Sequence, residues 1–234
     1  MTSPLIHRVT TLDLAVRPVV WPFAEERRAE ITAHFAEKQR ERPKLWNGRV
    51  LLGRDAVFTG SHLSATYFET DFASFLAWRD WGFPDKAVFN GFGMGALRAS
   101  DGAFVMGEMA AHTANEGRIY FPSGTPDLDD VIDGALDIAG SVVRELGEET
   151  GLTAADYWIE PDWHCVVTGP TLAMLQVVNL HLPGNEARAR IEANLARETE
   201  PELSAIHIVR GLSDLTPAMP RFVTAFVEQQ FASR

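Results

Sequence analysis

RELGEETGL, residues 144–152, is the stretch on which the reading of this chain turns. At about 100° per residue, Ala139, Val142, Val143, Leu146 and Thr150 fall within one arc, which predicts a helix over about 136–150 with that face on a core. Glu145, Glu148 and Glu149 occupy a second arc immediately beside it, at the rim of the core. Gly151 stands where a helix ends on a left-handed residue, so Glu148 and Glu149 belong to the last turn. The negative end of the helix macrodipole disfavours each carboxylate there by ~0.3–1 kcal/mol. Like charges three and four residues apart add a few tenths of a kcal/mol per pair, and Arg144, four residues before Glu148, offsets only part of this. Three carboxylates converging on one patch supply hard oxygen donors suited to Mg²⁺ or Mn²⁺. A cation would bring the positive charge that the helix end lacks.

Working outward, an acidic loop, SGTPDLDDVIDG, precedes this helix, and alternating apolar segments flank both. A strand is expected over 5–16, a charged helix over about 23–40, extended segments near 50–52, 56–58 and 63–68, and a short aromatic helix over about 71–81. From residue 87 the style changes to GFGMGALRASDGAFVMGEM, two apolar runs around Asp101-Gly102 that signal a hairpin. Gly91, Gly93 and Gly95 have the look of a phosphate loop, but no GK[ST] follows and the next segment is extended, so they read as structural. Beyond the helix, 158–167 and 172–182 form a second hairpin pair, followed by a helix over 186–197, a strand over 205–209 and a closing helix over 220–231. This alternation of sheet and helix indicates α/β layers.

Composition narrows the class. The 234 residues are 46% hydrophobic and 23% charged, the balance of a globular protein with a real core. A formal charge of −11 repels a polyanionic backbone, which argues against nucleic acid but leaves room for a small phosphorylated ligand carried by a metal ion. The single cysteine, Cys165, excludes an internal disulfide framework and reads as a buried structural thiol in a reducing, cytoplasmic compartment. The first residues have no long apolar run and read as neither a signal peptide nor a membrane span. His112, His164 and His181 form no zinc spacing. The oligomeric state stays open between monomer and homodimer.

Residues 144–152 match, position for position, the REUXEEXGU half of the Nudix box, where U is a bulky aliphatic residue. In this stretch the chain closely resembles the Nudix hydrolase superfamily. The other half of the box, GX5EX7, departs from the pattern: Gly124 and Asp130 could stand for its glycine and acid, yet thirteen residues, 131–143, follow Asp130 where the family has seven. An insertion of about six residues around VIDGAL accounts for this, and Asp127 or Asp129 could serve in place of Asp130. The resemblance implies a Nudix α/β/α sandwich with a mixed sheet over about 86–234, preceded by a small α+β region over 1–85 with a possible part in substrate binding. That order loosely resembles the branch that includes UDP-glucose pyrophosphatases.

The resemblance further implies Mg²⁺-dependent hydrolysis, with Mn²⁺ as a substitute ion, of a nucleoside diphosphate linked to another moiety. Nucleotide sugars and ADP-ribose come first as substrates; nucleoside triphosphate pyrophosphohydrolysis and a nucleotide sensor that does not hydrolyse are the alternatives. Glu148 and Glu149 would be metal ligands, Glu145 would share the metal or take a proton from the attacking water, and Arg144 would orient a glutamate. Gly124 would let the backbone approach the site. A further acid from the segment RETEPELSAIHIVRG would be Glu202 first and Glu200 second. Tyr67, Phe68, Trp78, Trp81, Trp158 and Trp163 are candidates to stack on a base, none at a diagnostic spacing.

Overall fold

A computed structural model describes residues 3–233, so the outermost two residues of the expected N-terminal region and the last residue of the expected second region lie outside the described residues. The first part holds β1 (Leu5–Val9), β2 (Thr11–Val16), α1 (Pro22–Glu26), α2 (Arg28–Glu41), β3 (Arg49–Thr59), β4 (His62–Asp71) and α3 (Phe72–Asp80). Next come β5 (Val88–Arg98), β6 (Phe104–Met109), β7 (Ile119–Tyr120), β8 (Val131–Ile132), β9 (Ala135–Leu136) and α4 (Ile138–Thr150). The chain closes with β10 (Tyr157–Thr168), β11 (Thr171–Leu180), α5 (Gly184–Leu195), β12 (Leu203–Val209) and α6 (Arg221–Ala232). It is an α/β protein with a mixed sheet.

Most expected elements are present, with local differences. The strand expected over 5–16 is broken at Thr10, so β1 and β2 serve different neighbours. The charged helix is likewise split at Arg27 into α1 and α2. The segments near 50–52 and 56–58 are one strand, β3, irregular between Arg54 and Val57, where Asp55 takes a positive φ of 57°.

β5 is the hinge of the topology. Its first residues pair antiparallel with β3 (Gly53 with Phe89), while 90–98 pair in parallel with β11, from Asn90 with Thr171 to Arg98 with Asn179. The path across the sheet runs β1-β10-β11-β5-β3-β4-β2-β9-β8, with β6, β7 and β12 branching from the end of β5. The turn between α3 and β5 contains the expected boundary at 85/86, yet β1 crosses it to pair with β10, Leu5 with Val167 through Val9 with Trp163. One core cluster likewise draws Leu14, Leu51 and Tyr67 from the first part together with Ile138, Val142 and Cys165 from the second.

Side chains alternate along a strand, and β5 shows what that does here. Gly93 and Gly95 lie against α4, a Cβ at residue 93 falling 2.6 Å from Val142 Cγ2 and 2.8 Å from Ile138 Cγ2, while Gly91 on the same face makes room for Tyr67 and Phe89. The glycines are a landing strip for a helix, in keeping with their structural reading. On the other face Phe92 meets Phe222 of α6 edge to face at 5.5 Å. Helices α4 and α6 therefore sandwich the sheet. Replacing Gly93 with Ala must lift α4 or displace Ile138 and Val142, and overpacking of this kind costs about 1–3 kcal/mol. A urea titration of Gly93→Ala is expected to show that loss as a lowered midpoint at unchanged slope.

Candidate active site

Helix α4 starts where the Asp137 side chain accepts from Gly140 N–H at 3.0 Å and ends at Gly151, whose φ of 69° is left-handed. Its buried residues are Ile138, Ser141, Val142, Leu146, Glu149 and Thr150. This corrects the expected orientation: Ala139 and Val143 face outward, because the side chains that fit over the glycine strip are Ile138 and Val142. The rotation divides the three glutamates instead of lining them up on one rim. Glu149 is 5% exposed within the packed face, the Glu145 side chain is 14% exposed, and that of Glu148 is 62% exposed.

Arg144 is the hub that holds them. Its Nη1 lies 2.8 Å from Glu145 Oε1 and 3.3 Å from Glu148 Oε2, and its Nη2 donates to Asp130 Oδ1 at 2.9 Å. Among the three candidate aspartates it is thus Asp130, its side chain 3% exposed, that joins the cluster. Asp127 accepts instead from Asp129 N–H at 2.8 Å and caps the short 3-10 turn over Leu128–Asp130. The residues in excess of the family spacing are looped out as the hairpin β8–β9, with Asp133 and Gly134 at positive φ in its turn. Its neck is closed by Asp137 N–H donating to Asp130 C=O at 2.8 Å, which is how Asp130 reaches Arg144 despite the added length.

The loop before the 3-10 turn completes the arrangement. Ser123 N–H donates to Glu149 Oε1 at 3.2 Å, and a Cβ at Gly124 would displace the Glu145 carboxylate from its place beside the loop. Burial pushes the Glu145 carboxyl up to about 7; Arg144 pulls it down, while Glu148 and Glu202 push it further up. Burial also raises Glu149 well above the usual range, against the Ser123 N–H and with the neighbouring glutamates. Glu202, just ahead of β12, is near enough for its charge to act on both. Glu200 is instead paired with Lys44.

The chemistry of this donor set fits a hard divalent cation. Glu145 and Glu148 share one guanidinium with Asp130, Glu149 is almost out of water with one N–H for a partner, and the charge of Glu202 bears on both Glu145 and Glu149. As the side chains are placed, however, no three His, Cys, Asp or Glu among the described residues are gathered closely enough to hold an ion. The histidines stay apart: His164 packs edge-on to Phe226 at 5.3 Å, and neither His112 nor His181 bonds to the glutamates. Cys165 is buried, as its structural reading requires. No described helix is long and apolar enough to cross a membrane.

Ser123, Gly124 and Thr125 also form one side of a cleft of about 400 Å³. Its aromatic lining comes from Phe72 and Phe75 of α3, Phe92 of β5, Tyr120 of β7 and Phe222 of α6, with Arg79 and Arg118 as its cationic residues. None of the aromatics singled out from the sequence lines it. Tyr67, Phe68, Trp78 and Trp163 are core residues, Trp81 stacks beneath Arg27, and Trp158 is exposed elsewhere on β10. The missed residues had a signal: Asn90, Phe92 and Met94 alternate with the glycines of β5 and so share its other face.

Both raised glutamates bear on stability. Below about 4.5 they are protonated folded or unfolded; above it the unfolded chain loses its protons first, up to about 7 for Glu145 and over a window widened in the same direction by the burial of Glu149, so folding grows less favourable as pH rises. Without divalent ions, the thermal midpoint is expected to fall from pH 5 to pH 8, and Glu149→Gln should flatten that decline. Calorimetry of the two proteins across this range checks both.

No protein-family model matches the chain, and none of the curated proteins does. Solved structures similar to it include the MutT protein of Methanosarcina mazei Go1, at 17% identity and a TM-score of 0.39, over 62% of this chain and 94% of that one. Another is RenU, a Nudix hydrolase from M. smegmatis, at 13% identity and a TM-score of 0.36, over 61% and 83%. A third is the bifunctional NMN adenylyltransferase/ADP ribose pyrophosphatase of Francisella tularensis, at 15% identity and a TM-score of 0.44, over 67% of this chain but 45% of that one.

Proposed function

We propose that the protein hydrolyses a nucleoside diphosphate linked to a second moiety, giving a nucleoside monophosphate and the phosphorylated moiety, with Mg²⁺ or Mn²⁺ as its ion. Nucleotide sugars and ADP-ribose are the first substrates to test. One observation carries this reading: the loop 123–125 touches Glu145 and Glu149 and also walls a cleft, so a molecule in that cleft can present its phosphates to the carboxylates. The cleft volume of about 400 Å³ falls within the range of small-molecule sites, about 300–1,000 Å³.

A diphosphate resists attack because its negative oxygens repel the nucleophile. A divalent ion held by Glu148, Glu149, Glu145 and Glu202 would neutralise that charge and acidify a bound water. Glu148 is free to turn toward it, since its exposed contact with Arg144 is of a kind worth at most about 1 kcal/mol. Glu145, at the edge of the packed face and 2.8 Å from Arg144, takes the proton of the attacking water. The water oxygen bonds to one phosphorus in line, the bridging P–O bond breaks, and the bridging oxygen leaves with the electron pair as a phosphomonoester. Arg144, locked between Asp130 and Glu145, fixes the direction of that base.

Phosphorus NMR of the protein with Mg²⁺ and a panel of nucleotide sugars, ADP-ribose and nucleoside triphosphates tests this reading. At least one linked diphosphate is expected to give two monoester signals; Glu149→Gln should abolish this, and Glu145→Gln should lower kcat about 10²–10⁴-fold, the share of a general base. Cleavage confined to triphosphates would move the substrate class to pyrophosphohydrolysis of those compounds. If all substrates stay intact while nucleotides raise the thermal midpoint, the protein is a sensor.

A further inference from the structure

The two halves of the chain differ in charge. Residues 1–85 carry no net charge, so the whole formal charge of −11 falls on residues 86–234. Among the described residues, every ion pair that joins the halves has its cation on the first and its carboxylate on the second: Arg8 with Asp162, Arg42 with Glu116 and Lys44 with Glu200. Two of these cations belong to one short connection between α2 and β3, residues 42–48. Its far end is fixed on α3, where Ala73 N–H donates to Asn47 Oδ1 at 2.7 Å and Phe72 N–H to Gly48 C=O at 2.9 Å. Its near end is held by Gln39 Nε2, which donates to Leu45 C=O at 3.0 Å. The connection is thus a strap fastened to the N-terminal helices, and its cations reach across to the other half.

What they reach is the surroundings of Glu202. Arg42 Nη1 donates to Thr113 C=O at 3.0 Å, and Thr113 is folded back on Ala110 C=O by its N–H at 3.0 Å and its Oγ1 at 2.8 Å. Ala110 N–H in turn donates to Glu202 C=O at 2.8 Å. Lys44 holds the loop of the same acid from the other side, two residues away at Glu200. Asn115, next to the Arg42 partner Glu116, donates to the Tyr120 hydroxyl at 3.1 Å, which burial and the charges of Glu149 and Glu202 keep protonated. The Glu202 side chain itself makes no hydrogen bond or ion pair among the described residues, so its backbone and the segments that grip it decide where the carboxylate stands. We propose that Arg42 and Lys44 are positioning residues: from the N-terminal half they clamp the segments 110–116 and 200–202 together and so set where the Glu202 carboxylate stands relative to Glu145 and Glu149. This rests on the proposed function only for the divalent ion that those carboxylates would share.

Two measurements on the full chain without nucleotide test the clamp. In hydrogen exchange, Arg42→Gln combined with Lys44→Gln is expected to speed the Ala110 amide about 5-fold or more, since an exposed pair shifts an equilibrium by up to about that factor, while the amides of α4 keep their protection. In a Mn²⁺ titration followed by electron paramagnetic resonance, the same variant is expected to bind the ion about 5-fold more weakly. Because the clamp acts through Glu202, Glu202→Gln should weaken Mn²⁺ binding by itself and leave the strap substitutions nothing further to remove. Lys44→Glu with Glu200→Lys restores an attractive pair and should recover most of the affinity that Lys44→Glu alone loses, which a merely destabilised protein would not do. Unchanged exchange at Ala110 overturns the proposal, and so does a strap effect on Mn²⁺ that persists in full in the Glu202→Gln background. If the wild type binds no Mn²⁺ while the strap substitutions speed exchange at Ala110, the ion of the proposed function is lost and the clamp stands. Mn²⁺-dependent hydrolysis by a chain whose Ala110 exchange ignores the strap does the reverse.

Discussion

Helix α4 can lie on the sheet only because one face of β5 has no side chains where the helix crosses it. With Gly93 and Gly95 beneath them, Ile138 and Val142 sit directly on the strand, and this contact sets the rotation of the whole helix. The rest follows from that rotation. Glu149 is carried into the packed layer, Glu145 comes to its edge, and Glu148 stays in water. The same alternation turns Asn90, Phe92 and Met94 toward the opposite layer, so one strand positions the acids by what it omits and lines the cleft by what it carries.

The carboxylates then share too little positive charge. A buried carboxylate keeps its charge only when it is paired or hydrogen-bonded. Arg144 serves Asp130, Glu145 and Glu148 at once, and Glu149 has the Ser123 N–H alone. The molecule responds by raising the proton affinity of Glu145 and Glu149. Protons and, in the function proposed above, a divalent cation are alternative answers to one deficit.

Much of this was legible in the sequence, and the limits were physical. Helix α4, its left-handed end at Gly151 and the closeness of its three glutamates follow from local spacing, because helix geometry fixes which residues are neighbours, whereas Gly124 was reached only through the Nudix resemblance. The extra residues near 131–136 were legible as a departure from a repeating pattern, but their hairpin and its effect on Asp130 required knowing that Asp137 closes the neck. The face of α4 was misjudged because periodicity reports an arc and not the surface that receives it. The base-stacking candidates failed for a related reason: aromatic rings are the preferred filling of cores, and Tyr67, Phe68 and Trp78 were spent there. Phe222 and Asn90 meet across an interval of sequence that no local pattern spans.

The hairpin β8–β9 does more than take up slack. β9 pairs with β2 at Ala15 and Ala135, and Val16 N–H donates to Gly134 C=O at 2.8 Å, so the lengthened loop becomes the outer end of the N-terminal sheet. With β1 attached to β10 at the far edge, the first part of the chain is fastened on both sides of α4. The hairpin and the N-terminal segment are therefore each the docking partner of the other, and removing either would expose the seam left by its counterpart.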